Sequence, residues 1–516
     1  MNRWSVQLNQ ASMLNKSLKL LFVACTLMAV YSCSNQTTKQ PVYEDKPFMQ
    51  EVSIKYYADT LTQNLMGIAA DRNDKIQVLA ASGVLHPYDG QFLYPGSIQT
   101  DNSYRFMSDK KINAINTYQD QLVYLTDSVV FSNAWAGKVF VKHTLTGATV
   151  FEGGKDFNFL VSNGKTLQLV NDSKTVWSQE VADGQVVGIR YQPTTDTFWI
   201  LTNNALYSLA AGQEFTKAFG GSNFTAFDID DKNATIGTTN GYLTLDLASK
   251  KQVGDIHAKI PVPSITAVEV INGKIWFGSL QGAFALREDG KFDYYNEERW
   301  LPDSRVMAIK AGPKGSTLVL AKGGFSQIVF KEMTLADKAA YYQEQVRLRH
   351  IRVGFNSTLS GMKKGDLSTG YLSDSDNDGL WTTMYLGGEI FRYAVTKDPA
   401  ALQNCRESLD AMERLYSINP VPGFPSRSFE RSGHIDQLSD TDRWQHAPDK
   451  EWDWKSTTSS DEVIGHVFAF GAMAELVDDE NLKSRAITLI DTLMSHIVQN
   501  DMYLIDYDGK PTMWGK

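Results

Sequence analysis

Asp461, Glu462 and His466 are the residues of this chain best placed to move a proton. In Ser459-Ser460-Asp461-Glu462-Val463-Ile464-Gly465-His466 the i, i+4 spacing puts Glu462 and His466 on one helix face, with Asp461 beside them. An acid next to an imidazole suits general acid/base work on a glycosidic bond or at a uronate C5. The same stretch reads as a capping box, with Ser459 at the N-cap and Glu462 at N3, so capping explains Glu462 as well as catalysis does. Asp461 and His466 have no such second duty.

Asp374-x-Asp376-x-Asp378-Gly379 places carboxylates and a glycine where a calcium loop has positions 1, 3, 5 and 6. Position 12 is Tyr385 rather than Glu, so a calcium ion held here would lack its bidentate ligand. The competing reading makes Asp378 the N-cap of a helix starting at Leu380. Trp381, Trp444, Trp452, Trp454 and Trp514 fall in the same part of the chain, and indole faces stack on sugar rings or fill cores. Arg427, Arg431 and Lys455 could hold a uronate or sulfate, or simply pair on the surface. The expected site is therefore Asp461, His466 and Glu462 for proton transfer. Trp381, Arg427, Trp454 and Lys455 are expected for substrate, and Asp374, Asp376 and Asp378 for calcium. No zinc spacing, P-loop, dinucleotide glycine motif or G-x-S-x-G elbow occurs.

Helices must carry these groups. The pattern predicts them over Leu335–Arg349, Leu380–Thr396, 399–415, Ser459–Val477 and Glu480–Val498, the third opened by Pro399 at its first turn. The segment reads as all-α hairpins, with DSDNDGLW (374–381), GFPSRSFER (423–431) and WDWKSTTSSDE (452–462) as loops. D-N-D-G-L-W and S-S-D-E-V-x-G-H in that layout resemble the (α/α) toroids of glycoside hydrolases and polysaccharide lyases. That resemblance implies loops at one end of the hairpins holding a sugar. A complete toroid needs more hairpins than these five helices supply, so the helical domain is expected to be incomplete.

Before it, between Leu65 and Phe330, one motif recurs seven times at a spacing of roughly 40 residues, the length of a four-stranded propeller blade. Its second strand reads Ile275–Ser279, Ala234–Thr238, Thr317–Ala321, Phe198–Thr202, Leu167–Val170, Leu122–Thr126 and Ile76–Ala80. IWFGSLQGAFAL (275–286) and ATIGTTNGYLTLDL (234–247) resemble two-component regulator propeller repeats. That resemblance implies an extracytoplasmic ligand-binding sensor fold. The expected fold is multidomain, an all-β seven-bladed β-propeller over 56–330, then a linker helix over 331–356 and the helical domain over 357–516. Val52–Tyr57 should supply the strand that closes the ring.

At the amino terminus, Lys16 and Lys19 precede the apolar run Leu20–Tyr31, too short to span a bilayer but suited to a signal peptide. Val30-Tyr31-Ser32-Cys33 resembles a lipobox, which implies cleavage and acylation at Cys33, with residues 1–33 as the signal and 34–55 as a tether. Losing Arg3, Lys16 and Lys19 takes the net charge from −9 to −12, which leaves no electrostatic footprint for nucleic acid. With Cys25 in the signal and Cys33 acylated, Cys405 has no disulfide partner.

Two function classes follow. One is a lipid-anchored glycan-processing enzyme of the bacterial cell envelope, periplasmic or on the cell surface, whose partner is an oligosaccharide or polysaccharide, anionic ones included. The other is a non-catalytic ligand-binding or sensing lipoprotein, or a scaffold whose propeller face docks another protein.

Overall fold

The computed structural model describes residues 44–59, 64–103, 111–210 and 214–515. The signal core, the lipobox at Cys33 and the first part of the tether lie outside the described residues. The chain divides into two compact units. The smaller comprises Met1–Pro47 with Thr334–Ala336, where the Leu335 N–H donates to Asp45 at 3.1 Å. The larger comprises Phe48–Met333 and Asp337–Lys516 and carries both the sheets and the helical segment.

Short antiparallel strands follow one another from Leu65 onward. Five four-stranded sheets run from Ala114–Tyr118 to Phe140–Lys142, Val150–Gly153 to Lys174–Glu180, Val186–Gln192 to Phe215–Gly220, Phe224–Ile229 to Lys251–His257, and Ile265–Ile271 to Phe292–Tyr295. The sixth is eight-stranded. It joins the strands of Leu65–Thr100 to Val306–Ala311, Thr317–Ala321 and Gly324–Met333 through Phe48–Tyr57. That strand pairs antiparallel with the whole of Gly324–Met333 and parallel with Gly96–Ser97, so the two ends of the repeat region are stitched together. The first strand of each repeat packs against the first strand of the next, and Leu65–Ala70 against Val306–Ala311. The result is a ring of small sheets in the manner of a β-propeller.

The recurring I-W-F-G-S pattern has a packing cause. Gly278 lies inside the second strand, where a Cβ would come 2.6 Å from Val306 on the next sheet. Ser279 then donates its hydroxyl to the Gly282 carbonyl at 2.7 Å, and Gly282 (φ 110°) starts the third strand. One copy of the motif was misplaced by the sequence pattern. Leu167–Val170 is the third strand of its sheet, and the second is Phe159–Ser162. Both runs are apolar, and the Asn163-Gly164 turn between them separates two strands that period alone does not rank.

A polar ring lines the channel. Two positions after the first-strand bulge stand Arg190, Asp228, Glu269 and Lys310, with the apolar Ala69 at that position in the first repeat, and Asn116 and Glu152 come from the two first strands that have no bulge. Arg190 pairs with Asp228 (2.6 Å) and reaches Glu269 two sheets on (3.3 Å); Lys310 pairs with Glu269 (2.9 Å). The Asn116 amide donates to Glu152 at 3.1 Å. A cavity of roughly 160 Å³ runs along Arg190, Glu269 and Lys310.

Beyond the single turn at Glu297–Trp300, five helices are present among the described residues: α1 (Leu335–Arg349), α2 (Asp378–Thr396), α3 (Pro399–Ser417), α4 (Ser460–Leu476) and α5 (Glu480–Gln499). None is long and apolar enough to cross a membrane. Helix α2 packs against α3 and α4, and α4 against α5. Leu386, Ile390, Leu409, Met412, Phe470, Met473, Leu482 and Leu493 form their common core. The segment is not all-α, however. Ser428–Arg431, Trp452–Lys455 and Trp444–His446 form a three-stranded antiparallel sheet with Trp452–Lys455 in the middle. S-F-E-R and W-D-W-K alternate apolar and polar residues, which is strand period; the sequence reading took them for loops.

Candidate functional site

The three-stranded sheet turns its two faces to different duties. Phe429 and Trp454 point into the helical core. On the other face Glu430, Asp453 and His446 lie side by side, as do Ser428, Lys455 and Trp444. This polar face packs over the start of α2, where Asp374, Asp376 and Asp378 arrive.

Those three carboxylates do not converge. Asp378 is buried against Arg352 (2.5 Å) and the Ser428 hydroxyl (2.5 Å). Arg352 also holds Glu430 at 2.6 Å. Asp374 is buried against Lys455 (3.2 Å) and Ser439. Asp376 is exposed and paired with Arg427 (2.9 Å). Among the described residues no group of three or more acidic, His or Cys side chains has metal-holding geometry. The expected calcium loop is corrected accordingly, because each acid has its own basic partner. The expected cap is corrected as well. Asp378 begins the helix rather than preceding it, and Asn377 stands at the N-cap without a side-chain cap bond.

Lys455 and Arg427 are not surface ligands either. Lys455 is fully buried between Asp374 and Asp440 (2.9 Å). Its ammonium holds the Asp440 carboxyl below the usual range. Arg427 is buried, donating to the Thr457 carbonyl at 2.6 Å as well as to Asp376. Arg431 is exposed and paired with Glu451 at 3.0 Å, the surface pairing that competed with an anion site. Trp454 is 1% exposed, so it cannot stack on a sugar arriving from solvent.

Glu462 and His466 do share a helix face, and both are sealed inside. Thr458 donates to Glu462 Oε2 at 3.1 Å, and Tyr416 Oη lies 2.6 Å from His466 Nδ1. Glu462 Oε1 and His466 Nε2 are 3.8 Å apart, too long for a hydrogen bond, and neither has a partner. Gly379 roofs them; a Cβ there would collide with Glu462 Oε1 and come 2.7 Å from His466 Nε2. Burial pushes the Glu462 carboxyl well up, against the pull of Arg427, and takes His466 down to about 3. At neutral pH His466 is uncharged. The capping box is absent: the Ser459 hydroxyl donates to Asn377 Oδ1 at 3.2 Å instead. As direct proton carriers for a substrate, Glu462 and His466 have no access.

What remains open to solvent is a small group around Asn377. Asp461 is exposed and accepts from the Asn377 amide at 3.3 Å. Trp381, one turn along α2, is 53% exposed. Trp514, 51% exposed, is tied to the start of α4 by a bridge to Ser459 and by the Ser460 N–H donated to its carbonyl at 2.9 Å. Apart from Trp454, which lies in the helical core, the predicted residues fall into a buried and an exposed set. Asp374, Asp378, Arg427, Lys455, Glu462 and His466 are buried, and Asp376, Trp381 and Asp461 are exposed.

The sequence reading missed one ordered exposed imidazole. His446 Nδ1 lies 2.7 Å from Asp453 Oδ1, with His446 exposed and Asp453 fully buried. Ser432 donates to the same oxygen at 3.2 Å, and Asp453 Oδ2 has no partner. Reading W-D-W-K as a strand would have put Asp453 on the face away from Trp452 and Trp454 and pointed to it.

No protein-family model matches this chain, and no curated protein does. Solved structures share part of its form. The extracellular domain of a putative hybrid two component system from B. thetaiotaomicron aligns at TM-score 0.43 and 14% identity, over 54% of this chain and 39% of that one. A streptogramin B lyase aligns at 0.42 and 12%, over 56% and 100%. The Pan2 WD40 domain of Neurospora crassa aligns at 0.41 and 11%, over 57% and 98%. The chain therefore spans about two fifths of the sensor domain it matches. At TM-scores of this size the likenesses assign it no activity.

Proposed function

We propose that this chain is an extracytoplasmic carbohydrate-binding protein whose helical segment holds the sugar at the Trp381–Asn377–Asp461–Trp514 group. The observation that carries the reading is two half-exposed indoles, Trp381 and Trp514, tied through the backbone to Asn377 and to the start of α4, beside the exposed Asp461 carboxylate. Flat apolar faces flanking polar acceptors and donors suit a pyranose, which has C–H faces and a hydroxyl edge. The buried ion pairs under them fix the group rigidly, as a binding site requires. Glycan cleavage is not part of the proposal, because His466 and Glu462 are sealed and the exposed Asp461 is left without an accessible imidazole partner.

The rest of the reading belongs with it. The ring counts as seven blades, the last completed by Phe48–Tyr57, and presents the helical segment. Cys33, acylated after signal cleavage, would tether the protein to the membrane. A calorimetric screen with neutral and uronate oligosaccharides should find a ligand whose affinity falls about tenfold in Trp381→Ala with melting unchanged. Turnover of that ligand by the wild type would overturn the binding-only reading. Cys33→Ser should move the protein from the membrane to the soluble fraction.

A further inference from the structure

A second pocket lies on the propeller, at the seam where its first and last repeats meet. It measures about 670 Å³, within the range of small-molecule sites. Its floor is Leu65, Met66 and Met307. Met66 and Met307 follow equivalent bulged first-strand residues, Leu65 and Val306, and both are exposed, at 47% and 39%. Elsewhere in the ring this position holds Val187, Thr225 and Thr266. Two methionines in one pocket therefore give it an apolar, deformable patch.

The rim is charged. Arg305 and Lys322 are brought together by the hydrogen bond from the Lys322 N–H to the Arg305 carbonyl, at 3.1 Å. Lys364 arrives from the segment that follows α1. That segment is fixed to the propeller where the Leu367 N–H donates to the Leu93 carbonyl at 2.9 Å and Gly365 lies against Tyr57. All three cations are exposed, and none makes an ion pair among the described residues. Two carboxylates share the rim. Asp303 accepts the Arg305 backbone N–H at 2.8 Å, and Asp59 stands opposite in the lining.

We infer that this pocket binds a sugar acid. Arg305, Lys322 and Lys364 would hold its carboxylate, Asp303 would accept from its hydroxyls, and the C–H face of its ring would lie on Met66 and Met307. Among the described lining residues the three cations outnumber the two acids, so an acidic sugar is preferred to its neutral counterpart. The pocket is separate from the Trp381 group, and this assignment does not depend on that site.

The test is titration calorimetry of the full mature chain with tetragalacturonate and, as the neutral control, maltotetraose. Tetragalacturonate should bind and weaken at least tenfold in the double variant Arg305→Glu/Lys322→Glu. Lys364→Ala should weaken it several-fold, and raising the salt from 50 to 300 mM should weaken it further. Trp381→Ala should leave this binding event unchanged. Melting curves of the variants establish folding, and Lys364, being on the surface, serves if the double variant is unstable. No binding of tetragalacturonate, equal binding of maltotetraose, or affinity indifferent to all three basic substitutions would each overturn the assignment.

Discussion

The molecule buries charge in two places and treats it differently. In the propeller channel the repeat supplies one polar side chain per sheet at the same level, and the charges close on each other: Arg190 with Asp228 and Glu269, Lys310 with Glu269, Asn116 with Glu152. Even Glu152, which burial lifts to about 7, accepts from Asn116 and from the Gly153 N–H. In the helical segment the buried polar groups come from unrelated positions and leave loose ends. Glu462 Oε1, His466 Nε2, Asp453 Oδ2 and Arg352 Nε are buried without partners. A closed set explains a ring that must hold its register. An open set costs stability without that return, which is the usual mark of a region shaped for something besides folding.

Breaking one charge in each region gives the largest effects. Arg352→Ala leaves Asp378 and Glu430 without their cation in a site where both Arg352 and Asp378 are nearly inaccessible. It should cost ~3–5 kcal/mol in urea unfolding. Arg190→Ala should cost less, about 2 kcal/mol, because a quarter of that side chain remains solvated and screens its pairs. If the channel variant proved the more damaging, the ranking of the two networks would be reversed.

The acid limb of stability separates them next. His466 stays neutral in the fold down to about 3, whereas an unfolded histidine protonates near 6.5. Above ~6.5 both states are neutral and nothing changes. Below it the unfolded chain takes a proton that the fold refuses, so stability falls by up to ~1.4 kcal/mol per pH unit. A His466→Gln variant should lose that slope.

Glu462 acts in the opposite direction. Its folded carboxyl keeps its proton above ~4.3, where the unfolded chain gives it up, so its contribution is present at low pH and is lost as pH rises. Glu462→Gln should therefore be more stable relative to the wild type at pH 7 than at pH 4, measured by denaturant titration at each pH.

The ring was largely legible in the chain because a repeat states its strands many times over, and the start of α1 and the closing strand beside Val52–Tyr57 were found where expected. Leu167–Val170 was misranked because two apolar strands in succession look alike. The site was legible as a set of residues but not as a depth. Asp374, Asp378, Lys455 and Trp454 are residue types that sequence places at a surface or a ligand, and the structure puts them inside because Arg352, Asp440 and the strand alternation around them supply partners and a face. His446 stayed hidden for the same reason, since nothing local in Q-H-A-P says that Asp453, seven residues on, returns beside it.

The central claim is that function sits on the exposed indoles above the open network and not in the closed channel. Titrating one bound neutral oligosaccharide into the wild type, Trp381→Ala, Trp514→Ala and the channel variant Glu152→Gln tests it directly. Each tryptophan variant should bind about tenfold more weakly with its melting temperature unchanged, a loss of ~1.4 kcal/mol, while Glu152→Gln binds as the wild type does. Unaltered affinity in both tryptophan variants, or a loss confined to Glu152→Gln, would contradict it.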